Sequence, residues 1–369
     1  MNDERLYKIG LNAIPFIGPV NYGRLIAAFG SAKGVFSAGK DDLVRVEKVG
    51  EKLAAKIKNA NPLATAEKEL LLAEKIGAKI FLAGDEGYPA PLLNIFSPPP
   101  VLYIKGEWRV EDELSIAVVG TRNPTVYGKT QAGKFGRELA EQGVTVVSGL
   151  ARGVDGEAHR EAIRAGGRTV AALGCGLNIY YPSEHRTLQL KIAEHGAVIS
   201  QFPVSMGPDK IFFPMRNRIL SGLTLGTLVI EAAERSGALI TSAAALEENR
   251  EVFALPGPVT SKKSDGANRL IKRGHARLVS CVDDIVSELP DYIQAKLVEK
   301  QAVLPFPDEE TLTDDEKSVM AQIDHEVKHI DKLSRDSGLP SNSVSAILLA
   351  LELKGKVKQL AGKLFLKIR

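Results

Sequence analysis

Two hydrophobic rhythms divide this chain. Over residues 1 to about 80, apolar positions recur at the three-to-four spacing of an amphipathic helix, as in Leu25, Ile26 and Phe29 and again in Leu53, Ala54 and Ile57. From about residue 114 the rhythm changes to short apolar runs that end at or near small residues and alternate with amphipathic stretches. These runs are Ile116–Gly120, Thr145–Gly149, Val170–Gly174, Ala197–Ser200, Thr227–Ile230 and Val252–Leu255. Continuous apolar runs are what strands covered on both faces require. Their alternation with helices predicts an α/β fold with a doubly wound, mostly parallel, Rossmann-like sheet.

Turn chemistry refines the ends of the chain. Ile17-Gly18-Pro19 and Val49-Gly50-Glu51-Lys52 each stand just before a helical stretch. This resembles the helix-hairpin-helix pattern, also met in compact helical modules of the sterile-alpha-motif type. Backbone N–H groups at such a helix start can approach a DNA phosphate, and a plain helical packing module fits the residues equally. Pro98-Pro99-Pro100 marks the approach to the central region, since proline lacks the N–H that helices and inner strands use. Pro290, Pro305, Pro307 and Asp308-Glu309-Glu310 predict a linker over 291–311. Beyond it, the helix Ile330–Ser337, the turn Gly338-Leu339-Pro340, a helix from the cap Ser341-Asn342-Ser343 through Leu353, and a ribbon of Val357–Leu360 and Leu364–Ile368 predict a winged helix. The expected domains are thus 1–80, 81–290 and 312–369.

Composition narrows the setting. The 369 residues, 44% hydrophobic and 25% charged, are sufficient for two or three folded domains. A net charge of +3 is too mild to identify a polyanion binder, so the placement of the charges must decide. Cys175 and Cys281 form no disulfide framework and no CxxC pair, as expected in a reducing compartment. The acidic start Met1-Asn2-Asp3-Glu4-Arg5 is unlike a signal peptide, and no stretch of about 18 unbroken apolar residues offers a membrane span. A cytoplasmic protein without a membrane partner is expected.

The chemistry-bearing segments lie at the strand ends. Val119-Gly120-Thr121-Arg122 follows the first run, Ser148-Gly149-Leu150-Ala151-Arg152-Gly153-Val154-Asp155 the second, and Gly174-Cys175-Gly176-Leu177 the third, continuing to Tyr181-Pro182. Phe213-Pro214-Met215-Arg216-Asn217-Arg218-Ile219-Leu220-Ser221-Gly222-Leu223 and Glu231-Ala232-Ala233-Glu234-Arg235-Ser236-Gly237-Ala238-Leu239-Ile240-Thr241 come next. Together, in this order, they resemble the DNA-processing protein A family, also called Smf, over roughly residues 80 to 290. The flanking modules match its longer members. The resemblance implies a strand-binding pocket at Arg122, Ser148, Gly149, Lys210, Phe213, Arg216, Asn217 and Arg218. It also implies binding of single-stranded DNA, a homodimer and delivery to a RecA-type recombinase in natural transformation or repair, with no cofactor, metal or catalytic residue.

The residue types support a similar site. Glycines after strands let backbone N–H groups face an anion, and Arg122 and Arg152 sit beside those turns. Lys210, Arg216 and Arg218 surround the pair Phe212-Phe213; cations with an interleaved ring suit an unpaired polynucleotide, holding phosphates while the ring stacks on a base. The same residues also allow a core Phe213 with arginines in ordinary surface ion pairs.

Other motifs compete. Asn123 to Thr130 approaches a Walker A loop, with Asn123 where glycine is needed and Pro124 lacking an N–H. His325-Glu326-Val327-Lys328-His329 fits HExxH, with Glu352 as a conceivable third ligand, in a terminal region with little room for a cleft. Gly226-Thr227-Leu228-Val229-Ile230-Glu231 is similar to a signature of Rossmann-like phosphoribohydrolases. Their double glycine is replaced by Ser221-Gly222-Leu223-Thr224-Leu225, and a nucleotide-binding or hydrolysing enzyme remains the alternative, with a structural adaptor third. In the tail, Lys354, Lys356, Lys358, Lys363, Lys367 and Arg369 face the single acid Glu352 over residues 341–369, a basic wing able to touch duplex DNA, bind protein or simply solubilise.

Overall fold

All six predicted runs are strands, and each is buried because helices cover both faces of the sheet they form. The computed structural model describes residues 3–291, 293, 294, 297, 313–323, 328–353, 357–360 and 363–367. The chain divides into two units, Met1–Gln301 and Ala302–Arg369.

Among the described residues, the first unit holds a nine-stranded sheet of β1 (Ala78–Leu82), β2 (Val101–Gly106), β3 (Ser115–Val119), β4 (Thr145–Ser148), β5 (Thr169–Ala172), β6 (Gly196–Ser200), β7 (Gly226–Val229), β8 (Glu251–Ala254) and β9 (Arg277–Leu278). The spatial order is β1-β2-β6-β5-β4-β3-β7-β8-β9. From β6 to β9 every pairing is parallel, with Ile116 opposite both Val146 and Gly226. The β1–β2 and β2–β6 pairings are antiparallel, which the apolar rhythm did not predict; β1 in particular lies where the helical region was expected to end. The chain leaves β3 towards β4 and later returns on its other side as β7, so strand order reverses there, the place where sheets of this kind commonly bind ligands.

Six helices precede the sheet: α1 (Asp3–Asn12), α2 (Pro19–Phe29), α3 (Ala32–Ser37), α4 (Lys40–Arg45), α5 (Glu51–Asn59) and α6 (Pro62–Lys75). The two predicted glycine turns repeat one geometry. Phe16 and Lys48 both adopt positive φ (78° and 64°). Ile17 and Val49 are buried next to them, and Gly18 and Gly50 cap α2 and α5 at φ −85° and −84°. Their surroundings differ: a Cβ on Gly18 would stand 2.9 Å from Cε of Met215, whereas Gly50 has nothing within 4 Å. The helical module is tied to the sheet by the Arg5–Asp85 ion pair at 2.6 Å, by Asn12 Nδ2 donating to the Gln201 carbonyl at 3.2 Å, and by Glu69 accepting from the Val204 N–H at 2.8 Å.

The connecting helices are α7 (Val126–Glu141), α8 (Val154–Arg164), α9 (Arg186–His195), α10 (Phe212–Leu223), α11 (Gly237–Glu247), α12 (Asp265–Lys272) and α13 (Val282–Val286). Beneath α8, His159 is wholly buried, and its Nδ1 lies 2.6 Å from the Thr169 hydroxyl. That hydroxyl donates its one proton to the Val146 carbonyl at 2.7 Å, so the imidazole must be the donor through Nδ1–H. Nε2 then carries a lone pair with no partner among the described residues. Burial, followed by the charges of His185, Arg160 and Arg216, lowers its pKa from 6.5 to about 3.

In the second unit, α14 (Asp314–Ala321), β10 (Lys328–His329), α15 (Ile330–Ser337), α16 (Ser341–Leu353), β11 (Val357–Leu360) and β12 (Leu364–Lys367) enclose a core that includes Leu333, Val344, Leu348, Leu351 and Val357. The three strands run in the order β10-β12-β11, the winged-helix plan expected. Most of the linker 291–311, together with Lys354, Lys356, Arg369 and His325 to Val327, lies outside the described residues. The described part of HExxH is not helical: Lys328 and His329 form β10, and His329 Nδ1 accepts the Asp331 N–H at 3.2 Å. Among the described residues no helix is long and apolar enough to cross a membrane, and no group of three or more His, Cys, Asp or Glu is placed to hold a metal.

Candidate nucleic-acid interface

The turns that follow β3, β4 and β5 converge with the first turns of α10 on one recess, lined among others by Arg122, Gly149, Arg152, Gly174, Tyr181, Phe213 and Arg216. Helix geometry explains which α10 residues reach it. Phe213 and Arg216 are three apart and share a face, whereas Arg218, two beyond Arg216, is turned by about 200°.

At the mouth, the exposed Arg122 guanidinium stands 5.5 Å from the centroid of the half-buried Phe213 ring, within cation–π range. Tyr181 completes the aromatic wall, its ring 5.7 Å from Phe213 and inclined by 35°. Gly174 gives Phe213 its place, since a Cβ there would lie 2.8 Å from Cδ1 of the ring. Arg122 makes no ion pair among the described residues, so its charge remains available to an anion.

The floor is built differently. Arg216 is 5% exposed. Its Nη1 donates to the carbonyls of Gly149 and of Ala172, the latter at 2.8 Å, and its Nε to Asn217 Oδ1 at 3.1 Å. A Cβ on Gly149 would fall 2.1 Å from Nη1, so only glycine lets the β4 turn close over this guanidinium. The countercharge is Asp155 at the start of α8, whose carboxylate accepts from Ala151 N–H at 3.3 Å and from Gly149. Burial pushes the Asp155 carboxyl above its ordinary range, opposed chiefly by Arg216, and the same burial lowers Arg216. The Cys175 thiol is raised by burial to about 11, which leaves little nucleophilic thiolate.

The residues predicted from the sequence therefore separate. Arg122, Gly149, Arg152, Phe213 and Arg216 meet at the recess. Arg152 is shared with Glu184 through a short ion pair, which depresses the Glu184 carboxyl to about 2. Ser148 is fully buried and donates to the Val118 carbonyl at 2.6 Å, and Asn217 holds Arg216 from below, so both support the recess without lining it. Lys210 is exposed ahead of α10, outside the lining. Arg218 points to the far side, 3.2 Å from Glu247 and 3.8 Å from Glu248. Sequence reasoning passed over Tyr181 and Asp155, although both lie in the strand-end segments; the signals were an acid three residues after Arg152 and an aromatic closing the segment that follows the third apolar run.

The competing motifs meet a resident anion. Glu231, 2% exposed, accepts from Thr125 N–H and Thr125 Oγ1, both at 2.8 Å, at the start of α7. A Cβ on Gly128 would lie 2.5 Å from Glu231 Oε2. The helix start that a Walker-type phosphate would use is thus filled by a carboxylate, and the glutamate of the hydrolase-like signature is committed to capping.

The family described as DNA recombination-mediator protein A matches residues 79–290, and the DprA winged helix domain matches 304–363. Protein Smf of Escherichia coli is 38% identical over 312 residues, covering 82% of this chain and 80% of that protein. DNA processing protein DprA of Bacillus subtilis is 42% identical over 205 residues, covering 55% and 69%. The X-ray structure of DNA processing protein A from Streptococcus pneumoniae superposes with a TM-score of 0.65 at 30% identity over 79% of this chain and 99% of that one. The Helicobacter pylori protein, whose structure is described for its single-stranded DNA binding mode, gives 0.52 at 29% identity over 60% and 96%. With a family match across the whole central sheet, its own winged-helix domain matched behind it, and a relative aligned over most of both chains, this chain belongs to the DNA recombination-mediator protein A family, the DNA processing protein A or Smf proteins.

Proposed function

We propose that this cytoplasmic protein captures single-stranded DNA in the recess over β3, β4 and β5, without covalent chemistry. The observation that carries the reading is Arg122 lying 5.5 Å over a half-buried Phe213 at a recess whose other wall is Tyr181. An unpaired base finds a stacking face there, and the adjoining phosphate finds an exposed guanidinium that forms no ion pair among the described residues. Arg216 acts from below, holding the β4 and β5 turns together through the Gly149 and Ala172 carbonyls. The single-stranded DNA binding described for the Helicobacter pylori relative supports the same reading. The family resemblance supports the rest of it, a homodimer that delivers the strand to a RecA-type recombinase during transformation or repair.

Oligo-dT and duplex of equal length, titrated at two salt concentrations, test the capture. The single strand is expected to bind more tightly, with log affinity falling by about 0.7 per neutralised phosphate for each unit of log salt. Arg122→Ala should weaken every sequence alike and flatten that slope. Phe213→Ala should cost about 1–3 kcal/mol of binding, the value of one stacked base, while retaining most of the slope. Salt-independent binding, or a Phe213→Ala protein that binds like wild type, would refute the pocket.

A further inference from the structure

Helix α10 borders two recesses. Phe213 faces the one just described, and the preceding residue, Phe212, lines a second cavity of about 320 Å3 between the sheet and the turn ahead of α2. Phe212 packs on Phe202 there, ring centroids 4.5 Å apart and inclined by 34°. Across from them stands Phe16, 67% exposed, with Lys56 Nζ 4.2 Å over its ring. Its φ of 78° belongs to the turn geometry shared with Lys48, at φ 64°.

The cavity's polar lining is selective. It consists of amides, a hydroxyl and one guanidinium, that of Arg218, and no carboxylate lines it among the described residues. The cavity's walls are otherwise apolar and aromatic, and Lys56 Nζ over the Phe16 ring sets a cation beside them. Aromatic walls with a neighbouring cation suit a flat ring joined to an anion.

We propose that this cavity is a second base subsite: the strand held over Phe213 crosses the first turn of α10 and places a following base against Phe16 and the Phe202–Phe212 pair, its phosphates passing the exposed Lys210. The inference rests on the single-strand reading above and says where the strand continues.

Oligothymidylates binding to the full chain separate the two claims. A strand of about 4 nucleotides, enough for the first recess, should bind wild type and Phe16→Ala alike, whereas one of about 12 should lose roughly five- to tenfold in affinity with Phe16→Ala. The longer strand with all but four consecutive nucleotides abasic should show no such loss. A 5-iodouracil-substituted strand should photo-crosslink to the segment 14–21 or to Phe212. Neither a length-dependent loss nor that crosslink, or an equal loss on abasic strands, overturns the second subsite. Arg122→Ala keeps this distinct from failure of the first: if it binds both lengths like wild type, the recess reading itself has failed.

Discussion

Replacing Arg216 by alanine is expected to destabilise the fold by about 3–5 kcal/mol, the usual cost of leaving a buried charge without its partner. Arg216 is 5% exposed, and the variant strands the buried Asp155 carboxylate together with the carbonyls of Gly149 and Ala172. Denaturant midpoints with an unchanged slope would measure the loss. Asp155→Leu should be costly for the mirror-image reason. The double variant Arg216→Met with Asp155→Leu should be less destabilised than the two single losses added, because the second change removes the charge that the first one isolates. Strict additivity, or a loss below about 1 kcal/mol for Arg216→Ala, would show that the two side chains do not form the floor of the recess.

The second large effect is a loss of stability in acid that originates at His159. Its folded pKa of about 3 lies below the ordinary 6.5, so the unfolded chain takes up the proton first. The sign follows: the site contributes nothing to pH dependence above about pH 7, and stability falls as pH drops from 6.5 towards 3. At about 1.4 kcal/mol per pH unit the loss is roughly 3 kcal/mol by pH 4. His159→Leu sacrifices the bond to Thr169 and should be less stable than wild type at pH 7. It cannot titrate, however, so the gap between the two proteins should narrow as the solution is acidified. Parallel stability curves across pH 4–7 would show that His159 is not the group responsible.

The fold was legible where burial imposes a simple pattern. Strands β3 to β8, covered on both faces, had to be mostly apolar, and glycines punctuated many of their ends. Strands β1 and β2 escaped because β1 exposes Lys79 between buried neighbours, and β2 joins the sheet by pairing with β6, more than ninety residues away. Strand β9 is two exposed residues long, too short for any periodicity. The site divides on the same principle. Gly149 and Arg122 stood out as strand-end residues, but nothing in a run of arginines distinguishes the one that turns inward from the one that turns out. Only the rotation of α10 assigns Arg216 to the floor and Arg218 to Glu247. Ser148 and Asn217 carry polar groups whose partners are the protein's own, which local sequence does not reveal.

The paired turns at Gly18 and Gly50 carry a consequence for how such a chain can vary. Two copies of one local shape have parted in surroundings: a side chain on the first would push aside the end of the Met215 side chain, while the second opens onto empty space. Change at position 50 is therefore sterically free, and a lineage can fit that corner to new neighbours, whereas its twin can change only in step with the methionine tip beside it.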